Sequence, residues 1–480
     1  MDTIWTTNCT IPRRESLQSH IQTEVAIIGA GLAGILIGYE LQKSGKQVVL
    51  LEAKQIASGQ TSHTTAKITS QHGFVYHHLI KHFGEELARQ YAIANEKAIT
   101  HYRLLIKQEQ IDCDFEEKDS YIYSDDMELL QKEFEAVTKL GLPASFVPST
   151  SLPIPAAGAI QFESQAQFHP LKFIKSISEC LTIYENTLVL SVEDNLIKTE
   201  QGTVRANSIV FATHFPFINF PGMYFTRMHQ ERSYVLALKH APKIEGMFLG
   251  KGANAYSLRN YKDFLLFGGE NHRCGEHIKG GHFDALRQKA KEWFPNSVEI
   301  SHWSAQDCIS VDSVPYIGHY SSKTPNWYVA TGFQKWGMTG SMVSALILKD
   351  LICGYENSYA TIFSPNRFTP SDLLNITKEG GMAVKGLLKR TLQLPEHVIE
   401  DLPCGHGEIV LIADEKIGVY KDDNGTVYPV TIRCPHLGCQ LEWNPDEKSW
   451  DCPCHGSRFD YHGNWISNPA QTNISISSLS

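Results

Sequence analysis

The sequence predicts an α/β domain built around a parallel sheet, followed by a small all-β domain. Three observations predict this order. A short apolar strand over residues 24–28 runs into a glycine-rich turn, a helical pattern and a second apolar strand. A strand, glycine and helix occur together again over 328–340. From residue 408, short β-type runs with turn signals surround a dense group of cysteines and histidines.

The composition argues against several classes of protein. Hydrophobic residues make up 42% of the 480 and charged residues 20%, and 43 basic against 52 acidic side chains give a net charge of −9. No run of like charge offers a basic stripe for a phosphate backbone, which argues against nucleic-acid binding. The N-terminal stretch is polar, and no apolar segment reaches the roughly 18 residues that a transmembrane helix needs. We therefore expect a cytoplasmic protein without a transmembrane segment.

The glycine-rich turn has the spacing of a dinucleotide-binding loop. Gly29 would permit the tight turn, Gly31 would let the backbone approach a pyrophosphate, and Gly34 would let helix and strand pack closely. The phosphates would then lie at the helix N-terminus. Glu52, at the end of the second strand (47–51), is placed to accept hydrogen bonds from ribose hydroxyls. Because all these features occur together, we predict a dinucleotide site.

Two further segments favour FAD over NAD. Thr61 and Ser62 offer hydroxyl and backbone donors just after the strand that ends in Glu52. The transition over 328–340 is suited to presenting a helix N-terminus to a flavin ring. The candidate flavin neighbours in this segment are Gly332, Gly337, Met338 and Thr339.

These motifs resemble those of the FAD-dependent oxidoreductases of the D-amino-acid oxidase (DAO) type. The resemblance spans roughly residues 20–365 and includes the segments 209–213, 267–270 and 312–318. It implies an oxidoreductase unit over 1–370, with a Rossmann-like, doubly wound FAD-binding domain. It also implies an α+β substrate domain with an antiparallel sheet, formed by inserts at about 75–175 and 220–320.

The chain departs from the DAO family at a substrate position. Many amino-acid oxidases of that family have W-x-G-x-R-P, in which the arginine binds the substrate carboxylate. Here the stretch begins at Trp303, and Asp307 takes the place of the arginine. An acid there favours a cationic substrate or one without a carboxylate, although Asp307 could alternatively only order its loop. Cys308 leaves open a covalently attached flavin, but its spacing to Pro315 differs from that of the sarcosine oxidases.

A group of histidines follows the predicted flavin segment. A non-haem iron site would need a carboxylate three residues before the first histidine of an H-x4-H pair, and Thr69 occupies that position. We therefore expect these side chains to belong to a loop and helix, with one or two of them near the substrate pocket. The histidines are His63, His72, His77, His78 and His82.

The C-terminal part, 401–480, follows a polar connector over 371–400 and contains a candidate metal centre. Its spacing is C-x-H at Cys434 and His436, then C-x2-H at Cys452 and His455. One cysteine and one histidine from each of two loops suit a [2Fe–2S] cluster in which two thiolates hold one iron and two imidazoles hold the other. Zinc also uses Cys2His2 ligation, but zinc patterns more often pair Cys with Cys and His with His.

Neighbouring motifs resemble the Rieske domain of the cytochrome bc complexes. They are H-L-G-C, W-x-C-P-C-H-G-S-x-F and N-P-A, within 436–470. The resemblance implies that the cysteine and histidine of each loop are the iron ligands and that Cys439 and Cys454 form a disulfide. The other seven cysteines are expected to be reduced.

Together the two resemblances imply an FAD-dependent dehydrogenase. It would oxidise a C–N or C–O bond of a small organic molecule, such as an amine, an amino-acid-like compound or a hydroxy compound. A Rieske [2Fe–2S] cluster would then pass the electrons singly, through exposed imidazole edges, to an external acceptor. The alternative is a redox-sensing or electron-transfer protein that turns over no metabolite. An oxygenase would need a mononuclear iron site, and a nicotinamide-dependent reductase would need a second dinucleotide motif; the sequence offers neither.

Overall fold

The computed structural model describes residues 2–252, 255–276, 278–367, 377, 381, 402–412 and 415–476. Apart from residues 377 and 381, the predicted connector over 371–400 lies outside the described residues. The described helices are α1 (Leu32–Lys43), α2 (Tyr76–Phe83), α3 (Glu85–Gln108), α4 (Met127–Lys139), α5 (Pro170–Ser178), α6 (His282–Trp293), α7 (Gly337–Ile352) and α8 (Ala360–Phe363).

The described strands fall into four sheets. They are β1 (His20–Ile28), β2 (Val48–Leu51), β3 (Lys67–Ile68), β4 (Glu116–Ser124), β5 (Ala144–Val147), β6 (Gly158–Gln167), β7 (Thr182–Tyr184), β8 (Val189–Glu193), β9 (Leu196–Thr199), β10 (Thr203–Phe211), β11 (Met228–Lys239), β12 (Met247–Lys251), β13 (Ser257–Tyr261), β14 (Phe264–Arg273), β15 (Val298–Ser310), β16 (Tyr316–His319), β17 (Trp327–Thr331), β18 (Gly407–Ile412), β19 (Glu415–Lys421), β20 (Val427–Thr431), β21 (Glu442–Asn444), β22 (Ser449–Asp451), β23 (Arg458–Asp460) and β24 (Trp465–Ser467).

The first sheet has the strand order β16-β17-β10-β1-β2-β7, with β9 paired to β10 and β8 to β9. Strands β17, β10, β1, β2 and β7 run parallel. The end of β1 is apolar on both faces, as a central parallel strand requires. Val25 and Ile27 pack into one core together with α1, while Ala26 and Ile28 pack into a second core on the other face. The carboxyl ends of β1, β10 and β17 therefore meet at one edge.

The second sheet has nine strands in the order β15-β11-β14-β13-β12-β4-β6-β3, with β5 paired to β6. Most of its pairings are antiparallel, and only β12 and β4 run parallel. Its strands come from residues 67–68, 116–167 and 228–310. Because successive strand residues point to opposite faces, Glu231 and Asp307, which are opposite each other in register, share one face. Arg232 and Gln306 share the other.

The C-terminal unit consists of a three-stranded sheet, β18-β19-β20, and a four-stranded sheet, β21-β22-β23-β24. All pairings in both sheets are antiparallel. The prediction of an α/β domain, a second sheet-bearing domain and a small all-β domain is therefore confirmed. Among the described residues, no helix is both long enough and apolar enough to span a bilayer.

Candidate functional site

The glycine turn connects β1 to α1 at the carboxyl edge of the parallel sheet. Gly29 has φ +104°, and a Cβ there would approach the Ala212 carbonyl oxygen to 2.5 Å. A Cβ on Gly34 would overlap the Gly29 carbonyl oxygen, so helix and turn pack backbone to backbone. A Cβ on Gly31 would have only the Thr61 hydroxyl nearby, at 3.4 Å. The turn therefore leaves room for a ligand at Gly31.

A Gly34→Val variant is expected to lose most of its bound FAD and to unfold at a lower temperature. The new side chain would displace the Gly29 carbonyl, and such overpacking costs about 1–3 kcal/mol or more. Flavin absorbance per chain and thermal unfolding measure the two effects. Gly59→Ala is the matched control, because Gly59 has φ −82° and a Cβ there would meet no atom within 4 Å. Equal FAD content in both variants would contradict the prediction.

Glu52 and Thr61 bind the backbone around this turn. The Glu52 carboxylate accepts hydrogen bonds from the N–H groups of Ala30 (2.8 Å) and Lys54 (2.9 Å). Burial raises the pKa of Glu52, and these backbone donors oppose that shift. The Thr61 hydroxyl accepts from the Leu32 N–H at 3.0 Å, at the start of α1. Ser62 donates instead to the Gly59 carbonyl at 2.9 Å, so its hydroxyl faces its own turn.

The first turn of α7 is a second feature suited to an anionic or polarised ligand. Helix α7 begins at Gly337 with no side-chain cap, and a Cβ there would meet no atom within 4 Å. Uncapped N–H groups at a helix N-terminus attract negative charge. Gly332 has φ +69°, which places it in the left-handed region. The side chain of Met338 is buried and the Thr339 hydroxyl binds inward, so only their backbone can face a ligand.

His72 is the histidine of the predicted group that lies beside α7. Its ring stacks on Trp336 at 4.8 Å, and its Nε2 lies 2.7 Å from the Thr69 carbonyl and 3.0 Å from the Thr339 hydroxyl. The Tyr91 hydroxyl contacts its Nδ1 at 2.6 Å. Burial lowers the pKa of His72 to about 3, so the ring is neutral. His72 therefore packs against the N-terminus of α7 and supports it.

Asp307 and Glu231 form a carboxylate pair on one face of the second sheet. Lys335, two residues before α7, lies 3.1 Å from Glu231, which places the pair beside the α7 N-terminus. His229 lies 3.6 Å from Glu231 on the same strand. Sequence reasoning identified Asp307 but missed Glu231, because the register that sets them opposite each other joins strands far apart in the chain.

The two carboxyl groups have pKa values shifted in opposite directions. Burial raises the pKa of Asp307 to about 6, and Lys335 only partly opposes this. A hydrogen bond with His229 and the charge of Lys335 lower the pKa of Glu231 to about 2. Neighbouring titratable groups whose pKa values are shifted in opposite directions are typical of binding and catalytic sites. Cys308 points to the opposite face, where its thiol donates to the His214 carbonyl at 3.4 Å.

The C-terminal cysteine and histidine loops have matching turns. Gly438 and Gly456 have φ +81° and +78°, and each donates its N–H to the carbonyl of the cysteine four residues earlier, at 2.9 Å. Cys434 and Cys452 are buried together at the bases of these turns. Cys439 and Cys454 form a disulfide that joins the two loops. Hydrogen bonds from Cys452, the His436 N–H and the Ser457 hydroxyl lower the pKa of Cys434, which favours a thiolate.

The imidazoles complete a donor set that fits a [2Fe–2S] cluster. The rings of His436 and His455 lie 4.8 Å apart. His436 Nε2 donates to the Asn219 side-chain oxygen at 2.7 Å, while its buried Nδ1 makes no hydrogen bond among the described residues. A histidine whose outer nitrogen binds a partner in this way presents the other nitrogen to a metal. Two thiols and two imidazoles are thus in place for two irons.

The imidazole edge is not fully exposed, contrary to the expectation from sequence. His455 is only 3% exposed, with Phe215 and Phe225 rings at 6.3 and 5.9 Å. Gln230 donates to the His455 carbonyl at 2.6 Å. The C-terminal unit therefore packs with this edge against the second sheet and the segment after β10. His436 remains half-buried.

One short segment connects the two candidate cofactor sites. Ala212 lies against Gly29, and the following residue, Thr213, accepts a hydrogen bond from the Asn468 side chain at 3.3 Å. Phe215, two residues later, contacts the His455 ring. The four residues 212–215 thus contact the glycine turn at one end and His455, a predicted cluster ligand, at the other.

Two sequence profiles match different parts of the chain. Residues 24–351 match the sequence profile described as "FAD dependent oxidoreductase" (DAO), and residues 395–478 match "Rieske [2Fe-2S] domain". The chain is 38% identical to the Rieske 2Fe-2S iron-sulfur protein YhfW of Bacillus subtilis, over 98% of this chain and 96% of that protein.

Two solved structures share the fold of the larger part. Glycine oxidase from Geobacillus kaustophilus has a TM-score of 0.62 at 19% identity and covers 72% of this chain and 99% of its own. L-proline dehydrogenase from P. horikoshii has a TM-score of 0.60 at 17% identity and covers 73% of this chain and 98% of its own.

Proposed function

Because the chain belongs to the DAO family of FAD-dependent oxidoreductases and carries a Rieske [2Fe–2S] domain, we propose that it is a dehydrogenase for a small organic substrate. FAD and a [2Fe–2S] cluster are its cofactors. The proposed division is an oxidoreductase unit over 1–370 and a Rieske domain over 401–480. The enzyme would act in the cytoplasm and deliver electrons singly to an external acceptor.

The contact between the segment after β10 and the cluster ligand His455 is the observation that carries this proposal. When bound, FAD accepts two electrons together, whereas the iron–sulfur cluster accepts and releases them singly. Thr213 and Phe215 would bring the two centres close within one chain. Because the His455 ring is buried, water is kept away from its contact with Phe215. A second centre at this position removes any need for oxygen as the immediate oxidant.

We propose an amine as the substrate. Beside the α7 N-terminus, Lys335 and His229 both lie against Glu231, at 3.1 and 3.6 Å, whereas among the described residues neither forms an ion pair with Asp307. Asp307 would accept a hydrogen bond from a substrate ammonium, since Glu231 is already bound to Lys335. Because the pKa of Asp307 is about 6, its carboxyl group is largely ionised at pH 7. Amino-acid-like and hydroxy compounds remain the other candidates within the proposed substrate class.

Asp307→Asn is expected to lower kcat/KM for an amine substrate. Loss of a charge-assisted hydrogen bond costs about 1.5–3 kcal/mol, or roughly ten- to hundredfold in kcat/KM. In the unmodified enzyme, kcat/KM should rise as the pH rises through about 6, because the ionised form binds the cation. The variant should lose this dependence.

Asp284→Asn, at an exposed position on α6, is the control. It should leave both kcat/KM and the pH profile unchanged. An unchanged kcat/KM in the Asp307 variant would instead favour the alternative that Asp307 only orders its own segment, which is strand β15 and not the loop expected from the sequence.

Anaerobic stopped-flow reduction of the flavin by a panel of amines, amino acids and hydroxy compounds tests the proposed function directly. Fast reduction by one amine, followed by one-electron reduction of the cluster, is expected. A panel in which no compound reduces the flavin would favour the redox-sensing alternative.

A further inference from the structure

Three large apolar side chains are exposed around the half-buried His436. They are Phe220 (66% exposed), Met223 (44%) and Leu437 (39%), which we call the apolar patch. Phe220 and Met223 come from the loop before β11, and Leu437 follows His436 directly. Apolar side chains grouped at a surface commonly mark an interaction site.

An aromatic path connects the apolar patch to both cluster ligands. The ring of Phe220 lies 6.0 Å from Phe225, and Phe225 lies 6.2 Å from His436 and 5.9 Å from His455. Asn219, next to Phe220, accepts the hydrogen bond from His436 Nε2. The exposed ring is thus separated from the imidazoles by one intervening aromatic side chain.

The loop that carries Phe220 and Met223 is held in place. Met223 N–H donates to the Asn219 carbonyl at 2.8 Å, and Arg227 donates to the Gly222 carbonyl at 3.0 Å. The Tyr320 hydroxyl donates to the Ile218 carbonyl. These bonds hold the loop in one conformation with its apolar side chains exposed. Binding of a partner would therefore cost the loop little conformational entropy.

The surroundings of the apolar patch are basic in a chain of net charge −9. The segments 213–230, 316–326 and 432–441 contain Arg227, Lys323 and Arg433 but no Asp or Glu. Lys323 and Arg433 are exposed. Lys323 and Arg227 line a cavity of about 270 Å³ with Pro221 and Gly222, beside Phe220. An apolar centre with charge of one sign at its rim favours a partner of the opposite sign.

We propose that the external acceptor is an acidic one-electron carrier protein that docks on the apolar patch. This inference rests on the proposed function, which requires such an acceptor. Each docking event would move one electron from the reduced cluster to one oxidised carrier, with no bond formed or broken. A two-electron oxidation of substrate would therefore reduce two carriers in succession.

The test measures binding of two oxidised c-type cytochromes, one acidic and one basic, to the full holoprotein by calorimetry. The acidic cytochrome should bind, and its affinity should fall with salt. The Lys323→Glu/Arg433→Glu double variant should bind it at least about tenfold more weakly and should gain affinity for the basic cytochrome. Phe220→Ser should weaken binding of the acidic cytochrome without changing how its affinity depends on salt.

Leu104→Ser and Lys107→Glu are matched controls, since both residues are exposed on α3. They should leave binding unchanged, and the Rieske electron paramagnetic resonance signal should be the same in every variant. Equal binding of both cytochromes, or no effect of the patch variants, would overturn the inference. Self-association of the chain that Phe220→Ser abolishes would assign the patch to a second copy instead.

The binding measurement needs no substrate, so the two proposals can fail separately. Patch-dependent binding without flavin reduction by any tested compound would reject only the dehydrogenase. Substrate-driven flavin reduction with patch-independent carrier binding would reject only the docking surface. Reduction of the acidic cytochrome by chemically reduced holoprotein should slow in the patch variants in proportion to the loss of binding.

Discussion

His436→Ala is expected to lose the Rieske spectrum completely while keeping one FAD per chain. The unsubstituted protein should contain one FAD and two irons. His436 presents a buried Nδ1 beside the buried Cys434 and Cys452, and alanine offers no atom that could bind a metal in its place. The glycine turn that would hold FAD lies in a separate sheet. Iron analysis, electron paramagnetic resonance and flavin absorbance measure the outcome.

His406→Ala is the control, because His406 is exposed in the same C-terminal unit and lies outside the cysteine and histidine loops. It should retain both cofactors. In His436→Ala, substrate should still reduce the flavin, but electrons should no longer reach a carrier protein. Loss of FAD together with the iron would show that the two cofactor sites do not form independently.

The features that sequence predicted well are local. The glycine turn, the strands beside it and the two cysteine and histidine loops each depend on residues that lie close together in the chain. The strand predicted over 24–28 is the end of β1, and the runs predicted from 408 correspond to β18, β19 and β20. Short-range backbone geometry and turn chemistry determine these elements, so a single sequence carries the information.

The features that sequence missed depend on tertiary packing. Glu231 and Asp307 meet through the register of β11 and β15, and Asn219 meets His436 across 217 positions. The expectation of exposed imidazole edges was wrong for His455 for the same reason, because the spacing of the ligands says nothing about which surface covers them. The contact of Asn219 with His436 and the burial of His455 both require the docking of the C-terminal unit.

The contact between the C-terminal unit and the second sheet contains a buried ion-pair network. Arg232 is buried on β11 and donates through Nε to Glu447 at 3.0 Å and through Nη1 to Gln306 at 3.2 Å. Arg458 pairs with the same Glu447 at 3.1 Å. Although burial alone would raise it, these two arginines lower the pKa of Glu447 to about 2. The carboxylate is thus charged and fully paired at neutral pH.

Arg232→Met is expected to destabilise the docked arrangement by about 3–5 kcal/mol, because removing one partner leaves a buried charge poorly compensated. The measurement combines thermal unfolding with limited proteolysis, and the C-terminal unit should become cleavable as a separate fragment. Electron transfer from flavin to cluster should slow in parallel, since Arg232 is linked through Gln306 to Gln230, which donates a hydrogen bond to the His455 carbonyl.

The Arg232→Met/Glu447→Met double variant should recover most of the lost stability, because well-packed apolar side chains can replace a buried ion pair at little cost. Lys198→Met is the surface control: its pair with Glu193 is exposed and should contribute less than about 1 kcal/mol. If Arg232→Met destabilised the protein no more than Lys198→Met, the ion pair would not hold the C-terminal unit in place. Its position would then depend on the other hydrogen bonds that join it to the larger part of the chain, among them those of Gln230, Arg273 and Asn468.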